Sequence, residues 1–120
     1  MSYITRDTIC AIATASGTAA MAIVRMSGEK SLEIALSRFV RKGKVMTSEN
    51  ITPNKMYYGE FKDSDNKTID DVMFTFFKAP HSYTGEDSVE IVCHGSPYIQ
   101  NKILEILIKS GARLAKGGEY

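Results

Sequence analysis

Two charged side chains stand where strand-like segments should carry only apolar ones: Arg25 in AIVRMS and Glu90 in SVEIVC. Either charge, buried without a partner, would cost several kcal/mol, on the order of a whole buried hydrogen-bonding group or more. Period-2 alternation places Glu90 on one face with Ser88, Val92 and His94, and Arg25 on a face with Met21 and Ile23. Two readings follow. The charges pair with each other or lie on a solvated face; or they form the polar floor of a cleft. There a carboxylate accepts two parallel N–H bonds from a ligand and an arginine fork grips an acidic group. Pterins and folates combine such a donor pair with a carboxylate tail.

Other candidates carry less chemistry. Cys93 and His94 are adjacent, so in a strand they point to opposite faces and form neither a chelate nor a nucleophile–base pair. His81 is the only other histidine and no C-x-x-C occurs, so no metal site and no catalytic residue is expected. The loop HSYTGED and Glu90 place three carboxylates within five positions, Glu86 to Glu90. A cation or amine site is one reading; a turn leading into a strand edge is the preferred one. Motifs of P-loop, dinucleotide-binding, zincin and nucleophile-elbow type do not occur.

The elements that must position these residues are legible from pattern. TICAIAT (Thr8–Thr14) reads as a strand, followed by a tight connection through Ala15-Ser16-Gly17-Thr18, and Ala20 to Met26 as a second strand. Leu32, Ala35, Leu36, Phe39 and Val40 recur at helical spacing, which predicts an amphipathic helix reaching Val40. The four basic residues from Arg38 to Lys44 could touch RNA, but a solvated helix end and loop is the preferred reading. Lys55–Lys62 and Thr68–Lys78 flank Asp63-Ser64-Asp65-Asn66, a hairpin signature. In the second of these runs Val72, Met73, Phe74, Phe76 and Phe77 load both faces, predicting a strand covered on both sides, or on one side by another subunit. Ser88–His94 is a further strand. Ser96-Pro97 opens a helix with an N-cap and a proline at N1, Gly111 closes it, and Arg113 begins a last strand.

The order ββα-βββα-β defines an α+β fold, a mixed β-sheet with two main helices on one face and the other face needing a cover. The 120 residues suit one domain. A formal charge of +1, from 15 basic and 14 acidic side chains, is too small for a dedicated nucleic-acid binder. The N-terminal MSYITRDT is no secretory signal, no apolar run reaches a membrane span, and two isolated cysteines suit a reduced, cytoplasmic protein. Neither membrane nor export is expected.

DTICAIAT with AIVRMSG, and PHSYTGEDSVEIVCHGSPYIQNKILEILIKSGARLAKGGEY, closely resemble the N-terminal domain of the tRNA modification GTPase family MnmE/TrmE, over about residues 7–28 and 80–120. The resemblance implies a fold like the folate-binding half-domain of aminomethyltransferases. It also implies binding of 5-formyltetrahydrofolate, a homodimer, and folate contacts through Arg25 and Glu90. A third family contact, a lysine, falls beyond Tyr120. Residues 1–120 would thus be one N-terminal domain, with the family's helical and GTPase domains outside it. GTP, Mg²⁺ and K⁺ belong to that GTPase domain, so these residues are expected to be non-catalytic alone. The implied setting is modification of the tRNA wobble uridine with 5-carboxymethylaminomethyl-type groups, together with the partner MnmG. A dimerising scaffold without folate and a stand-alone folate-dependent transferase are the alternatives. The sequence departs from the family pattern in a first loop with one glycine and no arginine, in His94-Gly95-Ser96 for HGG, and in Gly118-Glu119-Tyr120 for G-E-F.

Overall fold

A computed structural model describes residues 7–13, 20–82, 84–117 and 119–120. The expected connection at Ala15–Thr18, together with Thr14 and Gly118, lies outside the described residues. The chain folds as β1 (Ile9–Ile12), β2 (Met21–Ser27), α1 (Ser31–Leu36), β3 (Phe39–Arg41), β4 (Lys44–Val45), a 3-10 turn (Ser48–Asn50), β5 (Met56–Lys62), β6 (Thr68–Phe77), β7 (Ser88–His94), α2 (Pro97–Lys109) and β8 (Arg113–Leu114). All eight strands among the described residues share one sheet, in the order β4-β3-β5-β6-β7-β2-β1-β8. The β1–β8 pair is parallel and the others are antiparallel. The sheet is therefore mixed and the fold α+β, as the pattern predicts.

One face of this sheet is the core. Val24 and Met26 of β2, Phe74 of β6 and Ile91 of β7 are each at most 2% exposed, under Ile103 and Leu107 of α2. Each such side chain contributes roughly 1.5–3 kcal/mol through burial. Phe39 meets the Phe74 ring edge-on at 4.7 Å, extending the core under β3. The intervening residues of β2, β5, β6 and β7 form the opposite face, which no helix among the described residues covers. Met73 and Phe77 are half-buried there, and Met21, Met56 and Tyr58 are exposed. The expected double loading of β6 is present, but among the described residues helices cover only one of its faces.

The helix expected to reach Val40 ends at Leu36. Phe39 and Val40 leave the helix and pair with Phe61 and Glu60 in the sheet. Their aromatic and β-branched side chains suit a pleated surface, and the ladder bonds outweigh two more helical positions. The expected basic helix end is instead a hairpin, Arg41 opposite Lys44, turning through Lys42 and Gly43 with φ of 51° and 77°. Two central residues with positive φ give the twist a two-residue hairpin needs. The Asp63–Asn66 turn forms as expected, with the Asp63 carboxylate accepting from the N–H groups of Asp65 and Lys67 at 2.9 Å.

Helix α2 has Pro97 at its first position after Ser96, but the Ser96 side chain makes no capping hydrogen bond. Buried Gln100 instead reaches back, its Nε2 donating to the Gly95 carbonyl at 2.8 Å. At the other end, N–H groups of Gly111 and Ala112 donate to the carbonyls of Ile108 and Leu107, with Gly111 at φ 124°. This is the C-terminal closure the sequence predicts.

Candidate functional site

Arg25 and Glu90 stand directly opposite each other in the β2–β7 ladder. Arg25 donates from Nε at 3.0 Å and from Nη2 at 2.8 Å, both to Glu90 Oε2. Both bonds end on one carboxylate oxygen, so Oε1 is left unused by the arginine. The two side chains are 22% and 24% exposed: neither sunk in the core nor free in bulk water. The pair is thus one answer each charge finds opposite it, and it lies on the face that no described helix covers.

Register then shows what surrounds the pair. One row across the face runs Met56, Thr75, Glu90, Arg25, Ala11. The row on one side is Tyr58, Met73, Val92, Ile23, an apolar strip. The row on the other is Phe77, Ser88, Ser27, Ile9, and it carries the hydroxyls. Ser27 is only 1% exposed because the loop before β7 folds over it: Ser27 Oγ and Thr84 Oγ1 share a hydrogen bond of 2.6 Å. A charged pair is thereby set between an apolar shelf and a polar ledge, chemistry suited to a flat heterocycle with donors along one edge.

Tyr120 closes the site from the side of β1. Its hydroxyl donates to the carbonyls of Arg25 at 2.7 Å and Ile9 at 3.2 Å. The Arg25 guanidinium carbon lies 5.9 Å from its ring centroid. Burial pushes the phenol pKa well above its ordinary value. Sequence reasoning missed both Thr84 and Tyr120 as neighbours of the pair. No local pattern marks them, although the buried polar Ser27 at the end of β2 is a signal that something polar must cover it.

The remaining candidates separate. Cys93 is fully buried and His94 exposed, on opposite faces as the alternation requires. His94 Nδ1 lies 2.7 Å from Asp70 Oδ1. Burial pushes the Cys10 and Cys93 thiols up to about 11, unlike an activated nucleophile. The carboxylates of the HSYTGED segment do not converge: Asp87 accepts the Ala79 N–H at 2.9 Å, Glu86 is exposed, and Glu90 holds Arg25. The turn-and-edge reading therefore describes this loop. Among the described residues, no three His, Cys, Asp or Glu side chains gather as a metal cluster. No helix among them is long and apolar enough to cross a membrane. A concavity of about 610 Å³ opens between α1 and the β4–β5 connection, lined by Leu32, Leu36, Met46, Ile51 and Phe76. Neither Arg25 nor Glu90 lines it.

Fold and site together define a small α+β domain whose polar machinery lies on an open sheet face. Residues 8–120 match the family described as GTP-binding protein TrmE N-terminus, and the chain belongs to that family. It is 47% identical over 115 residues to the tRNA modification GTPase MnmE of Fervidobacterium nodosum, an alignment covering 96% of this chain and 25% of that protein. The MnmE of Porphyromonas gingivalis is 44% identical over 115 residues, covering 96% of this chain and 24% of its own. That of Endomicrobium trichonymphae is 44% identical over 120 residues, all of this chain and 25% of its own. The chain thus spans about a quarter of the length of these curated relatives. The resemblance read from residues 7–28 and 80–120 extends through the middle of the chain.

Proposed function

We propose that this domain is the folate-binding and dimerising head of a tRNA modification GTPase, holding 5-formyltetrahydrofolate at Arg25 and Glu90 on the open sheet face. The observation that carries this reading is the placement of the pair between an apolar row and a hydroxyl row. A pterin has a flat ring and an amino-pyrimidine donor edge. The Glu90 carboxylate suits that edge, because it can accept two parallel N–H bonds, and Arg25 supplies a fork for a carbonyl or carboxylate of the same ligand. Met73, Val92 and Ile23 offer the ring an apolar bed. The bound folate would supply a one-carbon unit; these residues bind and orient it and exclude water around it.

A second copy of the chain is the cover for this face. Exposed Tyr58 and Met56 adjoin half-buried Met73, and exposed Met21 lies on the same face at the start of β2, an arrangement that favours burial in an interface. In the complete enzyme, GTP hydrolysis with Mg²⁺ and K⁺ takes place in the separate GTPase domain. The assembly with MnmG builds the 5-carboxymethylaminomethyl-type group on the tRNA wobble uridine, in the cytoplasm where Cys10 and Cys93 remain reduced. Calorimetric titration with 5-formyltetrahydrofolate tests the ligand. Saturable heat is expected, lost in Arg25→Ala and Glu90→Ala variants that still melt cooperatively; heat unchanged in both variants would overturn the assignment. Sedimentation tests the dimer, and a monomer at tens of micromolar would count against it.

A further inference from the structure

The segment after β8 is tied down by a cluster of charged hydrogen bonds. Arg113 donates from Nη1 and Nη2 to the two carboxylate oxygens of Glu119, at 3.2 and 2.5 Å, and from Nε to Asp7 at 2.8 Å. The Lys116 N–H also donates to Glu119 Oε1, at 2.7 Å. These bonds bend the segment back from the sheet edge, across β1, so that Tyr120 reaches β2. Its hydroxyl then spans both strands, on the Ile9 and Arg25 carbonyls, while its ring lies against the Arg25 guanidinium.

The geometry points to Tyr120 as a positioning residue for Arg25, a ring wall tethered by its own hydroxyl that holds the guanidinium in place when ligand takes over the Glu90 carboxylate. This rests on the ligand reading above and deepens it. An arginine side chain has several rotatable bonds, and fixing them only at the moment of binding weakens affinity. In the free protein, Glu90 Oε2 restrains the fork from one edge. A ligand whose donors occupy Glu90 competes for that restraint. The aromatic face does not compete, because a cation–π contact uses the plane of the guanidinium and leaves its N–H edge for hydrogen bonds. The ring does the holding; the hydroxyl, bonded to backbone that the ladder already fixes, sets where the ring stands.

The test compares Tyr120→Phe and Tyr120→Leu in the full chain, by titration with 5-formyltetrahydrofolate and by the ¹⁵N-labelled arginine Nε–H spectrum, the Arg25 signal being identified by its loss in Arg25→Lys. Tyr120→Leu is expected to weaken binding about tenfold, and Tyr120→Phe to restore it to within about threefold, the range that a single cation–π contact spans. The Arg25 Nε–H signal should lose its ring-current displacement in the leucine variant and keep it in the phenylalanine variant. Unchanged binding in Tyr120→Leu overturns the proposal. So does weakened binding with an unmoved Arg25 signal, which would make Tyr120 merely structural. If the unaltered chain binds no folate, the ligand reading falls. The Arg25 signal then decides by itself whether Tyr120 holds the guanidinium.

Discussion

Arg25 and Glu90, 65 residues apart in the chain, are directly opposed across β2 and β7, and two N–H groups of the arginine converge on one carboxylate oxygen. Removing one partner leaves a half-buried charge, so Arg25→Ala or Glu90→Ala should each destabilise the domain by about 1–2 kcal/mol, the low end for a charged pair because solvent screens both side chains. The double variant Arg25→Ala/Glu90→Ala should lose less than the sum of the single changes. Urea unfolding of all four proteins gives the coupling directly, and strict additivity would mean that the pair adds nothing to stability.

Gly28 follows β2 at φ 138°, and a Cβ there would meet the Thr8 Cα at 2.7 Å. Neither the left-handed backbone nor the neighbouring backbone atom yields cheaply. Gly28→Ala is expected to lower stability by about 2 kcal/mol or more. Gly43, at φ 77° in the β3–β4 turn, has nothing within 4 Å of such a Cβ. Gly43→Ala should lose only about 1 kcal/mol, from backbone strain alone. Paired thermal melts distinguish the two, and equal losses would contradict the close approach of β2 to the segment before β1.

Cys10 and Cys93 are fully buried, free, and pushed up to about 11 from a usual 9.0. A raised folded-state pKa makes the stabilising contribution complete below pH 9.0 and progressively lost as the pH rises through about 11. At pH 8 both thiols should therefore react with an aromatic disulfide only as fast as the chain opens, and at once in denaturant. A burst of native-state reaction equal to one thiol would disprove the burial of that cysteine.

Glu119 is held at about 2, below its usual 4.5, first by its hydrogen bonds from Arg113 and then by that from the Lys116 backbone. A depressed carboxyl pKa places the contribution above pH 4.5, with loss as the pH falls through about 2. The Tyr120 ring signals should accordingly hold their dispersion at pH 5 and collapse toward random-coil values in stronger acid. Glu119→Gln should collapse them at neutral pH. Dispersion that survives the substitution would show that Tyr120 docks without this anchor.

Strands β2 and β7, the Asp63–Asn66 turn and the Gly111 closure were all legible because each depends on residues within a few positions of one another. The error at Phe39 and Val40 has the same source. Their spacing continues the helical stripe of Leu32, Ala35 and Leu36, and only their ladder with Phe61 and Glu60 overrides it. Ser96 likewise has the right type and place for a side-chain cap, yet the Gln100 amide, anchored by burial, takes the neighbouring carbonyl while the Ser96 hydroxyl makes no cap.

For the site, the alternation of apolar and charged residues alone singled out Arg25 and Glu90 and assigned each to a face. Which strand would lie beside which, and in what register, depends on contacts among segments far apart in the chain. Thr84 reaches Ser27 through a loop, and Tyr120 reaches Arg25 from beyond β8 by crossing β1. Local pattern determined that two charges needed partners, since an isolated charge among apolar neighbours is too unfavourable to leave unmatched. Only the folded sheet decided that the partners are each other, with a hydroxyl ledge and an aromatic wall around them, because those neighbours are set by long-range pairing that no short window of residues contains.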